Sequence, residues 1–242
     1  MDLFNKYLII GGMPDAVQNF LDNHNYNDVH KIHKHIINLY KDDFSKYQND
    51  DKKLKLMAAY DLIPAEINSQ NKRYQFSNLN KSFRFERYEA TFEWLWTAEV
   101  AIPIFNAENP EMPLLINKKS RLFKMFLNDV GLLTSMYGVP TIKKILNKDK
   151  NINYGAIYEN YVAQELHAHE YAGYYYKNKK FGEIDFVIED AGEVLPIEVK
   201  SGKAYSRHSA LDNIMSSKTF NINKAFVLSN ENVSHAVIST LK

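Results

Sequence analysis

Residues 182–202, G-E-I-D-F-V-I-E-D-A-G-E-V-L-P-I-E-V-K-S-G, restrict the fold of this chain more than any other stretch. They read as two strands, residues 183–189 and 194–201, joined by a turn at Asp190-Ala191-Gly192. Both strands alternate with period two, which sorts side chains onto two faces. Ile184, Phe186, Ile188, Ile197 and Val199 form an apolar set. Glu183, Asp185, Glu198 and Lys200 form a charged one. Charges near the centre of a hairpin with a buried pattern are costly unless they pair with one another or hold a cation. Taken singly, an E-x-K on a strand is a surface ion pair and Asp185 a turn cap. Taken together, in one hairpin and on one face, they point to chemistry.

Composition narrows the rest. The 242 residues suffice for one large domain or two modest ones. There is no cysteine, so disulfides and thiolate metal sites are excluded. No apolar run reaches the ~20 residues of a membrane span. The start, Met-Asp-Leu-Phe-Asn-Lys-Tyr, lacks the pattern of a secretory signal. The expectation is a soluble, cytoplasmic protein with no membrane partner. A net charge of +1 argues against a strongly basic nucleic-acid coat but allows a local basic groove.

The chain divides into three stretches. Residues 1–50 read as helical. Gly11-Gly12-Met13-Pro14 is a turn with proline at a helix start, and it lacks the lysine and hydroxyl residue of a phosphate loop. A longer helix over 27–47 carries Val29, Ile32, Ile36, Tyr40, Phe44 and Tyr47 at three- and four-residue spacing. Its His30, His33 and His35, with His24 upstream, are expected to be solvated rather than metal ligands. Residues 51–137 read as a winged-helix-like unit. A helix over 52–60 is broken at Ile63-Pro64, and Ser82 caps a helix to about Ala98. Strands are expected over 100–105, 114–117 and 122–127. The helix over 82–98 carries Arg84 and Arg87 but also Glu86, Glu89, Glu93 and Glu99. Those acids would repel phosphates, so a packing or partner-contacting role is expected over DNA contact. Residues 154–242 form the last unit: a helix over 156–171, a strand at Tyr174-Tyr175-Tyr176, the hairpin, a helix over 209–218, a strand over 224–229 and a short apolar helix or coil at 234–241. The expected class is therefore α/β (α+β overall), with a helical and winged-helix region followed by an α-β-β-β-α-β domain.

That order, with Asp185 followed by Glu198-x-Lys200, resembles the PD-(D/E)xK nuclease superfamily, the restriction-endonuclease-like fold. The superfamily's leading helical glutamate maps onto Glu159, in Y-E-N-Y-V-A-Q-E-L. Ile184 stands where the signature has proline. A broader resemblance is carried by G-G-M-P-D-A-V, F-L-N-D-V-G-L-L, Y-E-N-Y-V-A-Q-E-L, E-I-D-F-V-I and P-I-E-V-K-S-G. These motifs resemble the C-terminal part of a prokaryotic family with an N-terminal AAA-type ATPase domain, a helical and winged-helix middle region and a nuclease-like C-terminal domain. No Walker A or Walker B segment is present, so the resemblance is to that family without its motor.

The resemblance implies a divalent-metal-dependent nuclease acting on DNA and coupled to an ATPase domain or subunit. Hard carboxylate oxygens suit Mg²⁺ or Mn²⁺. Asp185 and Glu198 would be direct ligands, Glu159 would complete the shell directly or through water, and Lys200 would orient the nucleophile or offset charge on the phosphate. Gln164 and Glu183 are positioning candidates. The alternative is a non-catalytic DNA-binding or regulatory module that keeps the fold, since fold does not dictate activity. The acidic helix around residues 86–99 offers a surface for an ATPase partner or a homodimer contact.

Overall fold

The computed structural model describes residues 2–46, 50–69, 71–79, 85–201, 209–217, 219–229 and 235–238. Tyr47, Ser82, Arg84, Gly202, Lys218, Ser234 and Leu241, which enter the readings above, lie outside the described residues. The class is mixed α/β, with a helical N-terminal region and a C-terminal sheet with helices. Contacts divide the chain into two compact units. The first comprises Met1–Ile102 and Met125–Gln164, the second Pro103–Lys124 and Glu165–Lys242.

The first unit is helical: α1 (Asp2–Ile10), α2 (Pro14–Asn23), α3 (Tyr26–Lys46), α4 (Asp50–Asn68), α5 (Glu89–Thr97), then β1 (Ala101–Ala107) and β2 (Lys118–Leu127), whose outer ends belong here, then α6 (Val130–Tyr137), α7 (Val139–Leu146) and α8 (Tyr154–Ala168). Two glycine-bearing motifs interlock at its centre. Gly11 takes the left-handed conformation (φ +69°) and closes α1 by donating to Tyr7 O at 2.7 Å. Gly12 N–H donates to Asp129 Oδ2 at 2.6 Å, while Asp129 Oδ1 accepts from Leu132 N–H at 3.0 Å and so caps α6. A Cβ at Gly131 would stand 2.8 Å from the Ile10 carbonyl oxygen, a backbone atom with no room to yield. Burial raises the Asp129 carboxyl, and amide bonds from Gly12, Leu132 and Gly131 oppose the rise.

Several expectations are corrected here. Pro64 does not break a helix: α4 runs through it, held on both sides by buried Ala59, Tyr60, Ile63 and Ile67. Packing of four apolar side chains outweighs one lost backbone bond. Of the helix expected over 82–98, the described residues form an α-helix over Glu89–Thr97. A 3₁₀ turn at Phe85–Arg87 precedes it and seats Phe85 against Phe76 and Phe92. His30 and His33 are not solvated but buried, whereas His24 and His35 are exposed. His30 Nδ1 lies 2.7 Å from Ser135 Oγ, and His33 Nε2 lies 3.0 Å from Ile10 O, which an N–H must face. That leaves His33 Nδ1 buried without a hydrogen-bond partner, so the ring is neutral.

The second unit is a sheet with helical cover. The sheet order is β2-β1-β3-β4-β5-β6-β7, with β3 (Tyr174–Asn178), β4 (Gly182–Asp190), β5 (Glu193–Lys200), β6 (Lys224–Ser229) and β7 (His235–Ile238). β1 is parallel to β3, β3-β4-β5 is an antiparallel meander, β5 and β6 are parallel, and β6 and β7 antiparallel. The parallel step from β5 to β6 passes through α9 (Ser209–Met215), whose Leu211 and Ile214 pack with Tyr176, Ile184 and Phe220. The element order from α8 is thus α-β-β-β-α-β. Residues 114–117, expected as a strand, form a turn instead. Bonds of the i→i+3 type at Ile116 and Asn117 close it, and Leu114 is buried while its N–H donates to the Glu189 carboxylate. The expected terminal helix or coil is, at His235–Ile238, a strand that pairs along β6 and satisfies its edge.

The neutral His33 gives a pH test. Burial pushes its pKa down to about 4, with the Ile10 bond opposing and His30 adding to the fall. Unfolded, the ring titrates near ~6.5. Its contribution is therefore intact above that value and lost as pH falls from there toward the folded value. Between pH 7.5 and 4.5, wild type should lose about 2–3 kcal/mol more stability than His33→Gln, read from urea unfolding. Parallel pH profiles for the two proteins would contradict a buried neutral ring.

Candidate functional site

The charged residues of the hairpin form the candidate site. Val187 stands opposite Pro196 and Phe186 opposite Ile197. Against β3 the register shifts just here, since Tyr174 stands opposite Val187 and Tyr176 opposite Ile184, so the regular alternation expected of β4 is interrupted around Asp185. Asp185 is 8% exposed and Glu198 7%. Just past the last Phe186–Ile197 pair, Asp185 Oδ2 accepts from Val199 N–H at 2.9 Å, so a carboxylate-to-amide bond joins the two strands there. Lys200 Nζ donates to Glu198 Oε1 at 2.5 Å. Glu198 Oε2 is buried and makes no hydrogen bond.

A second cluster abuts the pair. Lys124 on β2 is 1% exposed. Its Nζ is 2.9 Å from Glu183 Oε1, 3.8 Å from Asp185 Oδ1 and 5.1 Å from the centre of the Tyr175 ring. Lys177, paired with Glu183 across β3 and β4, places its Nζ 2.6 Å from Glu183 Oε2. Three carboxylates thus lie among three ammonium groups. The titration behaviour follows from this layout. Burial raises the Glu198 carboxyl, Asp185 beside it raises it further, and Lys200 and Lys124 only partly pull it back. Burial also pushes Glu183 up, but Lys124 and Lys177 outweigh it and leave that carboxyl below its ordinary value.

Asp185, Glu198, Lys200 and Glu183 are therefore brought together in the second unit. Glu159 lies in the first unit, on α8, 1% exposed and ion-paired with Lys72. Gln164 is in the first unit too: its Oε1 accepts from Val130 N–H and its Nε2 donates to Tyr7 OH, both at 2.8 Å. Among the described residues no group of three or more His, Cys, Asp and Glu side chains is arranged to hold a metal ion. Lys124 is the residue that sequence reasoning missed. Its signal was present: one lysine inside the apolar run L-F-K-M-F-L at 122–127.

Comparison with known families adds the following. A model described as a domain of unknown function, DUF8612, matches residues 1–143, more than half of the chain. The chain belongs to the DUF8612 family. A second domain of unknown function, DUF4143, matches residues 154–239. No curated protein and no solved structure matches the chain. The DUF8612 match and the compact units do not share a boundary. Residues 103–124 fall within DUF8612 by sequence and within the sheet unit by contact. Lys124 thus comes from the DUF8612 match, and the carboxylates it faces from the DUF4143 match. Among the described residues no helix is long and apolar enough to cross a membrane.

The raised Glu198 carboxyl has a definite sign in stability. The folded state holds that proton more tightly than the unfolded one, so its contribution is present below the ordinary glutamate range and is lost as pH rises through the raised value. Above it, the charged form opposes folding. Glu198→Gln should therefore be more stable than wild type at pH 8, with the gain vanishing near pH 4, in urea unfolding at the two pH values. A less stable variant at pH 8 would contradict this reading of the pair.

Proposed function

We propose that the chain carries a divalent-metal-dependent nuclease site that hydrolyses DNA phosphodiester bonds in association with an AAA-type ATPase domain or subunit. The observation that carries the reading is the buried Asp185–Glu198 pair, with Glu198 Oε2 unsatisfied and Lys200 beside it. An unsatisfied buried carboxylate oxygen next to a second carboxylate fits a hard cation. Mg²⁺ commonly takes only one or two protein carboxylates and keeps water or phosphate oxygens for the rest. The residues therefore fit Mg²⁺ or Mn²⁺, with Asp185 and Glu198 as the ligands. Bound there, such an ion would supply Lewis-acid polarisation of the phosphate and a more acidic water. Asp185 is held in place by the Val199 amide, which fixes the direction of its other oxygen. Lys200, with its side chain about a quarter exposed, reaches solvent where a phosphate would approach and offsets negative charge developing on it. Glu159, engaged by Lys72, is left out of this ligand set. The motifs shared with the ATPase-associated family support the coupling and the α-β-β-β-α-β order supports the nuclease class.

A second reading is favoured by one observation. Glu183, Asp185 and Glu198 already face Lys124, Lys177 and Lys200. A face balanced in charge without a metal suits a regulatory or DNA-binding module that has kept the fold.

A plasmid-nicking assay with Mn²⁺ separates the two. Metal-dependent cleavage should fall at least about 100-fold in both Glu198→Ala and Lys200→Ala. Cleavage unaltered by either substitution would remove the nuclease assignment. Salt-sensitive DNA binding without turnover would favour the second reading.

A further inference from the structure

We propose that Lys124 is a positioning residue of this site. Its ammonium is the resident counter-charge of Asp185 in the metal-free protein, and it competes with a divalent cation for that carboxylate. The inference rests on the metal-binding reading above.

The placement argues for it. An ammonium group 1% exposed is tolerated only where carboxylates or rings compensate it. Lys124 stands near Glu183 and Asp185 at unequal distance, 2.9 Å and 3.8 Å, with the Tyr175 ring alongside. The nearer partner is not one of the proposed ligands. Lys124 can therefore release Asp185 to another cation and still remain paired with Glu183. Glu183 in turn keeps Lys177 on its other oxygen, which holds it in place through such an exchange. Two positive charges a few ångströms apart repel strongly in a poorly hydrated site. The consequence for the family boundary is specific. The site of the DUF4143 segment has its cation affinity set by a lysine that the DUF8612 segment supplies on β2.

The test is Mn²⁺ binding to the full chain at pH 7.5, followed by the electron paramagnetic resonance of free Mn²⁺. Lys124→Met should bind about tenfold more tightly than wild type, because one competing positive charge is gone. Lys124→Arg should stay within about twofold of wild type, and Asp185→Asn should abolish the site. A lysine with a merely structural role would leave the affinity unchanged or lower it. Should Lys124→Met fail to fold, the wild-type protein decides: the Lys124 Nζ resonance should move when diamagnetic Mg²⁺ is added, and should not move in Asp185→Asn. Wild-type affinity or weaker binding in Lys124→Met, or an unmoved Nζ resonance at saturating Mg²⁺, would overturn this inference alone. Failure of every protein, wild type included, to bind Mn²⁺ would overturn the metal reading and this inference with it.

Discussion

Two carboxylates stand close together on adjacent strands with little access to water, and much of the second unit can be understood from what their repulsion demands. Asp185 and Glu198 are each nearly buried, and the neighbouring charge raises the Glu198 carboxyl beyond what burial alone does. Like charges in such a place need opposite charges or hydrogen bonds close by. Lys200 takes one oxygen of Glu198, the Val199 amide takes one oxygen of Asp185, and Lys124 arrives from β2 to stand near the other. The apolar residues of the same strands do the opposite job. Ile184 packs with Tyr176, Leu211 and Ile214 in one cluster and anchors the hairpin against α9. That packing carries a charged cluster that is poorly satisfied at one atom, Glu198 Oε2. Sites that do chemistry are commonly left in this state, because a group already satisfied has little to offer a ligand.

The first unit follows a different rule, that of close backbone approach. Gly11 and Gly131 bring the end of α1 and the start of α6 so near that a methyl group on either would collide with Asp129 or with the Ile10 backbone. Asp129 then satisfies the amides that this approach would strand. Gly11-Gly12-Met13-Pro14 is therefore a packing device: it ends α1, receives Asp129 and starts α2 at Pro14.

What could be read from the sequence divides along the same line. The hairpin was legible because period-two alternation is a local property, and Asp190-Ala191-Gly192 marks its turn as plainly as any residues can, with Ala191 and Gly192 both at positive φ. The α-β-β-β-α-β order was legible for the same reason. Residues whose state depends on distant partners were not. Pro64 stays helical because buried neighbours hold α4 around it, and no local rule contains them. His30 and His33 lie on a helix stripe that looks amphipathic with polar histidines, yet Ser135 and Ile10, far along the chain, draw them inside. Leu114 has strand-forming neighbours, but the Glu189 carboxylate claims its N–H and bends the chain into a turn. Lys124 was overlooked for the same cause: its partners Glu183 and Asp185 lie about sixty residues away, and only the lysine's isolation in an apolar run hinted at them.

The central claim is that Asp185 and Glu198 can grip one hard cation between β4 and β5. Crystals of the protein soaked in Mn²⁺, with data collected for anomalous scattering, test it most directly. The account predicts a single strong peak within coordination distance of both an Asp185 oxygen and Glu198 Oε2, at ~2.2 Å from each, absent in Asp185→Asn crystals. A fully soaked crystal with no peak at that face, with Lys124 and Lys200 still bound to the two carboxylates, would contradict it.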